Sequence, residues 1–110
     1  MQQVLLIVTN VPDENVAHAI ARSLLEQKLA ACVNLLPGVR SVYRWQGTVE
    51  EATEVTMLIK STQQRYAELE AAIRQAHPYE VPEIIAMPVA SGFQPYLNWV
   101  GAETKKEVDV

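Results

Sequence analysis

Residues 32–60 have the sequence CVNLLPGVRSVYRWQGTVEEATEVTMLIK, in which two extended tracts flank a short turn. β-Branched, aromatic and aliphatic residues are frequent in both tracts, as expected of strands. Pro37-Gly38 interrupts the first tract, and a Pro-Gly pair inside a strand pattern indicates a bulge or bend. Gln46-Gly47 separates the two tracts, and Gly47 suits a turn position with positive φ. The sequence therefore predicts one long hairpin with an irregularity in its first strand.

The segments before the hairpin predict a strand followed by a helix. Val4–Val8 is a short, unbroken apolar run, typical of a central strand whose two faces are both covered. Asp13 is a suitable helix N-cap, and apolar residues such as Ile20 and Leu24 then recur at helical spacing. We expect this helix to end near Lys28.

The segments after the hairpin predict a helix, a strand and a further helix. Ser61 and Gln64 have the spacing of a capping box, and helical periodicity continues to Ala76. Glu83–Val89 is the last predicted strand. Pro95 then suits the first turn of a third helix.

The predicted order is βαββαβ with a C-terminal helix. This order predicts a single α+β domain over residues 1–110, a ferredoxin-like sandwich with two helices on one face of the sheet. The other face of the sheet, and the long apolar hairpin, would then be uncovered in a monomer. Because a large apolar patch usually marks an interface, we expect the chain to form an oligomer.

Composition and charge exclude several classes of protein. Of the 110 residues, 49% are hydrophobic and 20% are charged, as in ordinary globular domains. The net charge is −4 and the basic residues form no stripe, so we expect neither a nucleic-acid nor a membrane partner. The single cysteine, Cys32, cannot form an internal disulfide, and the N-terminus lacks a signal-peptide pattern. We therefore expect a cytoplasmic protein.

Residues 77–85, His-Pro-Tyr-Glu-Val-Pro-Glu-Ile-Ile, place an imidazole, a phenol and two carboxylates on one connection. Pro78 and Pro82 fix φ and keep the chain extended, so the preceding helix must stop. A stiff loop beside a strand can hold polar groups for a ligand. A plain helix stop with ordinary loop residues explains the same pattern, and spacing alone favours it slightly.

Other candidate residues carry weaker signals. Tyr43 and Trp45 lie two apart, hence on one strand face, where they serve as interface anchors or as the wall of a ligand site. Lys60 ends the next strand, where it either meets an anionic ligand or is solvated. No known metal-binding or nucleophile motif is present, so a closed metal site in one subunit is improbable and we expect no enzyme activity.

The ordered set of motifs resembles the CutA (CutA1) family over residues 4–104. The motifs are Pro12-Asp-Glu14, Lys28-Leu-Ala-Ala-Cys-Val-Asn34, Pro37-Gly38, Tyr43-Arg-Trp-Gln-Gly47, Ile59-Lys60, His77-Pro-Tyr-Glu-Val-Pro-Glu83 and Tyr96-Leu97. The resemblance implies a ferredoxin-like subunit, a homotrimer and a role in tolerance to divalent cations, copper among them. It also implies kinship in architecture with PII-type signalling trimers, which bind small ligands between subunits.

The chain departs from the resemblance at the metal ligands proposed for some bacterial members. These members have Cys where this chain has Thr9, and His where it has Ala76, so that only His77 of the three ligands remains. We therefore expect weak or indirect copper binding, with His77 as the one metal ligand and no cofactor required.

Two alternative functions stay open. One is a PII-like sensor of a small, anionic molecule in a cleft between subunits. The residues expected to line that cleft are Trp45, Lys60, His77, Tyr79 and Glu83. The other is a scaffold trimer without a ligand.

Overall fold

The structure, a computed structural model, describes residues 2–106. Its elements are, in chain order, β1 (Val4–Val11), α1 (Glu14–Glu26), β2 (Cys32–Trp45), β3 (Thr48–Thr62), α2 (Tyr66–Ala76), β4 (Ile84–Pro88) and α3 (Gln94–Glu103). This confirms the predicted βαββαβ order with a C-terminal helix. The single domain predicted over residues 1–110 includes Met1 and residues 107–110, which lie outside the described residues.

The four strands form one antiparallel sheet in the order β2-β3-β1-β4. β1 and β3 are the central strands, with Ile7 opposite Ile59, and the two halves of the βαββαβ order interleave as in a ferredoxin-like fold. β1 is longer than the apolar run Val4–Val8 predicts, because Thr9 and Asn10 continue its pairing with β3.

The β2–β3 hairpin has the predicted turn and the predicted irregularity. Gln46 and Gly47 have φ values of 49° and 81°, so both turn residues are left-handed, as in the turns that suit tight hairpins. Between Leu36 and Val39 the register with β3 shifts by one residue, and Gly38 has a φ of 72° there. Residues 39–54 pair only with each other and form a two-stranded ribbon beyond the end of β1.

The core lies between one face of the sheet and the helices α1 and α2. Ile7, Met57 and Ile59 are fully buried on this face and belong to the same cluster as Leu24 of α1 and Ile73 of α2. The Asp13 Oδ1 atom accepts a hydrogen bond of 2.9 Å from the Val16 amide, which confirms the predicted N-cap.

The opposite side of the sheet is apolar and largely uncovered. We call it the open face and define it by residues whose register places them together, namely Leu6, Val8, Leu36, Leu58, Ile85 and Met87. Ile85 is 50% exposed, and Met87 and Leu36 are each 42% exposed.

One end of the open face is covered, which corrects the expectation of a wholly bare face. Thr104, which follows α3, has its Oγ1 atom 3.4 Å from Oγ1 of Thr62, and Thr62 points to the side opposite the α1–α2 core. The C-terminal helix therefore packs against this end of the sheet, and Val100 is buried there.

The predicted start of the second helix is wrong, and the last strand, Ile84–Pro88, is one residue shorter at each end than the predicted Glu83–Val89. Ser61 does not begin a capping box; it lies in β3, and its Oγ donates a 2.5 Å hydrogen bond to the Leu29 carbonyl. A 3-10 turn over Gln63–Arg65 follows, and α2 begins at Tyr66 without a side-chain cap. The first helix ends at Glu26 with its C-cap at Gln27, and Lys28 has a φ of 57°, which agrees with the expected end near Lys28. Among the described residues, no helix is long and apolar enough to cross a bilayer.

Candidate functional site

His77 is buried where α2 ends, and both of its ring nitrogens are hydrogen-bonded. Nε2 lies 2.7 Å from the Asn10 carbonyl oxygen, and Nδ1 lies 3.1 Å from the Tyr79 amide nitrogen. Because the carbonyl only accepts and the amide only donates, the proton sits on Nε2 and Nδ1 accepts. The arrangement fits a neutral imidazole that fastens the loop to β1.

Tyr79 connects this loop to the hairpin. Its ring centroid is 4.7 Å from that of His77, and its hydroxyl donates a 2.9 Å hydrogen bond to Oε2 of Glu54. Burial raises the pKa of Tyr79 to about 12, with further contributions from the hydrogen bond and the charge of Glu54. The phenol therefore stays protonated and acts as a donor to the carboxylate.

The loop and the hairpin form a pocket of about 570 Å³ that is open to solvent, which we call the hairpin cavity. Its wall contains three aromatic residues, Tyr43, Trp45 and Tyr79, and three acidic residues, Glu54, Glu80 and Glu83. The other lining residues are Asn10, Ser41, Val42 and Val81. The volume is in the range of small-molecule sites, about 300–1,000 Å³. Tyr43 and Trp45 do lie on one strand face, as the spacing predicts.

Glu83 is held at the wall by a short relay of hydrogen bonds. The Asn10 amide nitrogen donates to Oε1 of Glu83 over 3.2 Å, and Thr56 Oγ1 donates to the Asn10 amide oxygen over 2.6 Å. Because Asn10 and Thr56 lie on the paired strands β1 and β3, the sheet itself positions this carboxylate.

Of the five residues predicted to line a cleft, Trp45, Tyr79 and Glu83 line the hairpin cavity. His77 is not among the lining residues, but its ring contacts that of Tyr79. Lys60 does not line it. Lys60 lies six residues along β3 from Glu54, roughly 20 Å at the usual rise of a strand. Its ammonium contacts the side-chain oxygen of Asn34 and lies 3.8 Å from the Cys32 sulfur.

The predicted cleft lies between subunits, so its complete residue set stays a prediction. Cys32 has Lys60 as its cross-strand partner, so a cation lies beside its thiol. Tyr96 of α3 also reaches Cys32; burial and this contact raise the pKa of its hydroxyl.

The residues of one subunit do not fit a metal site. Within residues 2–106, no group of three or more His, Cys, Asp or Glu side chains is placed to hold a metal ion. His77 has no lone pair to offer without losing a hydrogen bond. Thr9, at the position of a proposed ligand in some relatives, is buried in the core and its hydroxyl has no hydrogen-bond partner there.

Sequence reasoning missed Glu54, the most buried carboxylate of the cavity. The alternation of Val55, Met57 and Ile59 does place Glu54 on the opposite side of β3, which was a usable signal. Its contact with Tyr79 depends on how the loop after α2 folds back over the hairpin, which no local pattern reveals.

Comparison with known families gives a match over nearly the whole chain. A family model described as "CutA1 divalent ion tolerance protein" matches residues 5–103. The divalent-cation tolerance protein CutA of Thermus thermophilus is 47% identical over 104 residues, which are 94% of this chain and 99% of that protein. A CutA homolog of Xenopus laevis is 49% identical over 90 residues, 82% of this chain. The match spans only 60% of the length of the Xenopus protein.

Solved structures agree with the sequence comparison. The divalent cation tolerance protein of Thermus thermophilus superposes with a TM-score of 0.90 at 44% identity, covering 96% of this chain and all of that one. A protein of Archaeoglobus fulgidus described as a periplasmic divalent cation tolerance protein gives a TM-score of 0.88 at 35% identity, with 96% and 100% coverage.

Proposed function

Because this chain belongs to the CutA1 divalent ion tolerance protein family, we propose that it acts in the response to divalent cations as a non-catalytic homotrimer. The observation that carries this proposal is the match over residues 5–103, supported by a relative at 47% identity over 104 residues that is named for divalent-cation tolerance. The fold agrees in detail with this family, since the superposition with one such relative covers 96% of the chain.

The open face and the ribbon support an assembly of several copies. Ile85 and Met87 expose apolar side chains on the open face, and Val42 and Val49 of the ribbon are more than half exposed. A two-stranded ribbon without a third strand is marginal in water, so it gains stability when another surface covers it. We propose that a second and a third copy of the same chain cover the open face and the ribbon, in keeping with the trimer that the family resemblance implies.

A non-catalytic role fits the chemistry of the one histidine beside the cavity. His77 uses both ring nitrogens within the fold, so it is not placed to take a proton from a substrate. We also propose that folding needs no cofactor.

We propose that copper binds weakly and, where it binds specifically, at His77. An imidazole favours Cu(II) over other first-row divalent ions. Here a bound ion must displace either the Asn10 carbonyl from Nε2 or the Tyr79 amide from Nδ1. Because the described residues contain no group of three or more His, Cys, Asp or Glu side chains placed to hold a metal ion, we expect nothing within one subunit to offset that loss.

Calorimetric titration with CuCl2 tests this proposal. We expect weak binding by the wild type, a further loss in His77→Ala and a gain in Ala76→His, which supplies a neighbouring imidazole. His18→Ala is the matched control, because His18 is exposed on α1 and its loss should change nothing specific. Tight binding, one ion per subunit, that survives His77→Ala would contradict the assignment and place the ion elsewhere.

The hairpin cavity favours a second candidate function, the binding of a small molecule. A cavity of about 570 Å³ with aromatic and polar walls is of the kind that binds metabolites. An anionic ligand, as expected from the resemblance to PII-type proteins, would need Lys60 of a neighbouring subunit, since Lys60 of the same subunit is outside the cavity. If neither metal nor small molecule binds, the remaining candidate is a scaffold trimer.

We propose a cytoplasmic location, in keeping with a single cysteine, Cys32, which cannot form an internal disulfide. The Archaeoglobus fulgidus relative is described as periplasmic, so the two compartments are the alternatives to distinguish. Fractionation of cells that express the untagged chain tests this: we expect it with the cytoplasmic marker, and release by osmotic shock would contradict the proposal.

A further inference from the structure

The wall of the hairpin cavity carries negative charge without a compensating cation. Three of its lining residues, Glu54, Glu80 and Glu83, are carboxylates, and no lysine, arginine or histidine is among the lining residues. His77, whose ring contacts that of Tyr79, has the hydrogen-bond pattern of a neutral imidazole. The electrostatic field inside the cavity therefore favours a positively charged occupant.

Glu54 is the most informative of the three carboxylates. It is 7% exposed, and it belongs to none of the ion pairs among residues 2–106. Its Oε2 accepts the Tyr79 hydroxyl, which is a neutral donor. A buried carboxylate without a cationic partner is costly to the fold. A cation bound in the cavity would offset that cost by pairing with the Glu54 carboxylate.

The aromatic residues of the wall also favour a positively charged ligand. Tyr43 and Trp45 come from β2 and Tyr79 from the loop, so aromatic surface reaches the cavity from two sides. The faces of Trp and Tyr rings attract cations, and cages of such rings bind alkylated ammonium groups. A cavity of about 570 Å³ is also larger than a bare ion needs, and fits a cation with an organic body.

From this wall we propose that the hairpin cavity binds a small organic cation, an alkylated ammonium ion whose charge lies against Glu54 and whose alkyl groups lie against Tyr43, Trp45 and Tyr79. The inference rests on the second proposed function, small-molecule binding in this cavity, and specifies the charge and chemical class of the ligand. The ligand is opposite in charge to the anion that Lys60 suggests.

Other ligand classes fit the same wall less well. A divalent metal ion needs several converging ligand atoms, and the described part of the chain has no such group of His, Cys, Asp or Glu. An organic anion would face three carboxylates, with no basic residue among the lining residues of the same subunit. A neutral molecule would leave the charge of Glu54 uncompensated.

Titration of the full-length protein with three probes tests the inference. Choline is the cationic probe, 3,3-dimethylbutan-1-ol is its neutral isostere, and glutarate is an organic dianion. Binding is followed by calorimetry and by tryptophan fluorescence in a Trp99→Phe background, where Trp45 is the remaining tryptophan. We expect choline to bind at least about tenfold more tightly than its neutral isostere, since a contact with a charged group is worth about 1.5 kcal/mol or more.

Two variants and one control locate the site. Glu54→Gln keeps an acceptor for the Tyr79 hydroxyl but removes the charge, and should weaken choline about tenfold. Trp45→Leu should weaken it about fivefold, with partial recovery in Trp45→Phe, because only the aromatic ring attracts the cation. Glu51→Gln is the matched control: it removes the same charge from β3, three residues away, at an exposed side chain outside the cavity.

The outcomes separate this inference from the function on which it rests. Equal affinity for choline and its isostere, or preferential binding of glutarate, would overturn the cationic ligand and leave small-molecule binding in place. Choline binding that Glu54→Gln does not change would overturn the site. If no probe binds, as when a second copy of the chain fills the cavity, both the inference and small-molecule binding fail, while the trimer and weak copper binding are unaffected.

Discussion

At the scale of single residues, two buried hydroxyls on the core face of the sheet differ in whether they have a hydrogen-bond partner. Ser61 is fully buried and its Oγ donates to the Leu29 carbonyl, whereas Thr9 is fully buried and its Oγ1 has no partner within residues 2–106. An unpaired hydroxyl in the core costs free energy that a methyl group of the same shape does not.

Thr9→Val should therefore raise the free energy of unfolding by about 1 kcal/mol, because it replaces an unsatisfied hydroxyl with an apolar group of similar volume. Ser61→Ala is the contrasting variant and should lower it by about 1–2 kcal/mol, since the Leu29 carbonyl loses its donor. Urea unfolding at one fixed protein concentration measures both. A destabilised Thr9→Val protein would mean that the Thr9 hydroxyl has a partner in the assembled state.

The ionisation of Tyr79 gives a pH dependence with a definite sign. Its pKa is raised from 10.0 to about 12, mainly by burial and then by Glu54, so the folded state holds this proton more tightly than the unfolded state. The stability that Tyr79 contributes is thus complete below pH 10 and is lost as pH rises from about 10 to about 12.

Spectrophotometric titration of the tyrosines should show a late component that Tyr79→Phe removes. The loss of stability between pH 10 and about 12 should be smaller in that variant, although Tyr66 and Tyr96, whose pKa values burial also raises, keep a part of it. If Tyr79→Phe left both curves unchanged, the hydrogen bond to Glu54 would not exist in solution.

Single residues also show how far the sequence predicts the site. Trp45, Tyr79 and Glu83 line the hairpin cavity, and the sequence singles them out because an aromatic pair on a strand and polar residues on a proline-containing loop are local signals. Glu54 and the distance between Lys60 and the cavity were not found, because both depend on which part of β3 the loop after α2 covers. That is a tertiary property, which the sequence pattern does not contain.

At the scale of elements, the bulge in β2 determines which side of the hairpin carries the aromatic residues. Leu36 pairs with Thr56 and Val39 with Glu54, so β2 has one extra residue here. One extra residue reverses the alternation of side chains, which brings Tyr43 and Trp45 to the same face as Glu54. The Pro37-Gly38 pair predicts that a bulge exists, but not which face results, since that depends on the register.

Substitutions at Gly38 and Gly101 form a matched pair that tests whether the bulge needs a positive φ at Gly38. A Cβ at either position meets no atom within 4 Å, but only Gly38 has a positive φ, of 72°. Gly38→Ala should therefore lower the free energy of unfolding by about 1 kcal/mol, whereas Gly101→Ala, inside α3, should raise it by up to about 1 kcal/mol. Urea midpoints compare the two; equal effects would indicate that the bulge is not formed as described.

The elements themselves were more predictable than their ends. Apolar periodicity, strand-forming composition, and turn and cap residues together located every helix and strand named in the sequence analysis. The capping box at Ser61 was wrong because β3 continues to Thr62, where pairing with Val4 of β1 outweighs the local capping pattern. Long-range pairing of this kind is absent from a local motif.

At the scale of the whole molecule, the two neighbouring residues Met57 and Leu58 lie on opposite faces of the sheet. Met57 is fully buried beneath α1 and α2, and Leu58 is half-buried on the open face. Met57→Asp should lower the free energy of unfolding by about 4 kcal/mol, because an unpaired charge would enter the core. Leu58→Asp should instead act mainly on assembly and shift the protein towards monomers.

Ala19→Asp, which adds the same charge to an exposed position of α1, is the control for both variants and should leave mass and stability nearly unchanged. Circular dichroism reports folding, and the molar mass in solution reports assembly. If Leu58→Asp kept the mass of the wild type, the open face would not be the contact between subunits.

The open face and the ribbon indicate an assembly of several copies, and the family resemblance implies that the number of copies is three. The central proposal is therefore that the folded protein is a trimer. Multi-angle light scattering of the wild type at micromolar concentration, coupled to size exclusion, tests it most directly. We predict a molar mass of three times the 12.3 kDa of the chain, unchanged on dilution through the micromolar range. A folded, stable species with the mass of one chain would contradict the account.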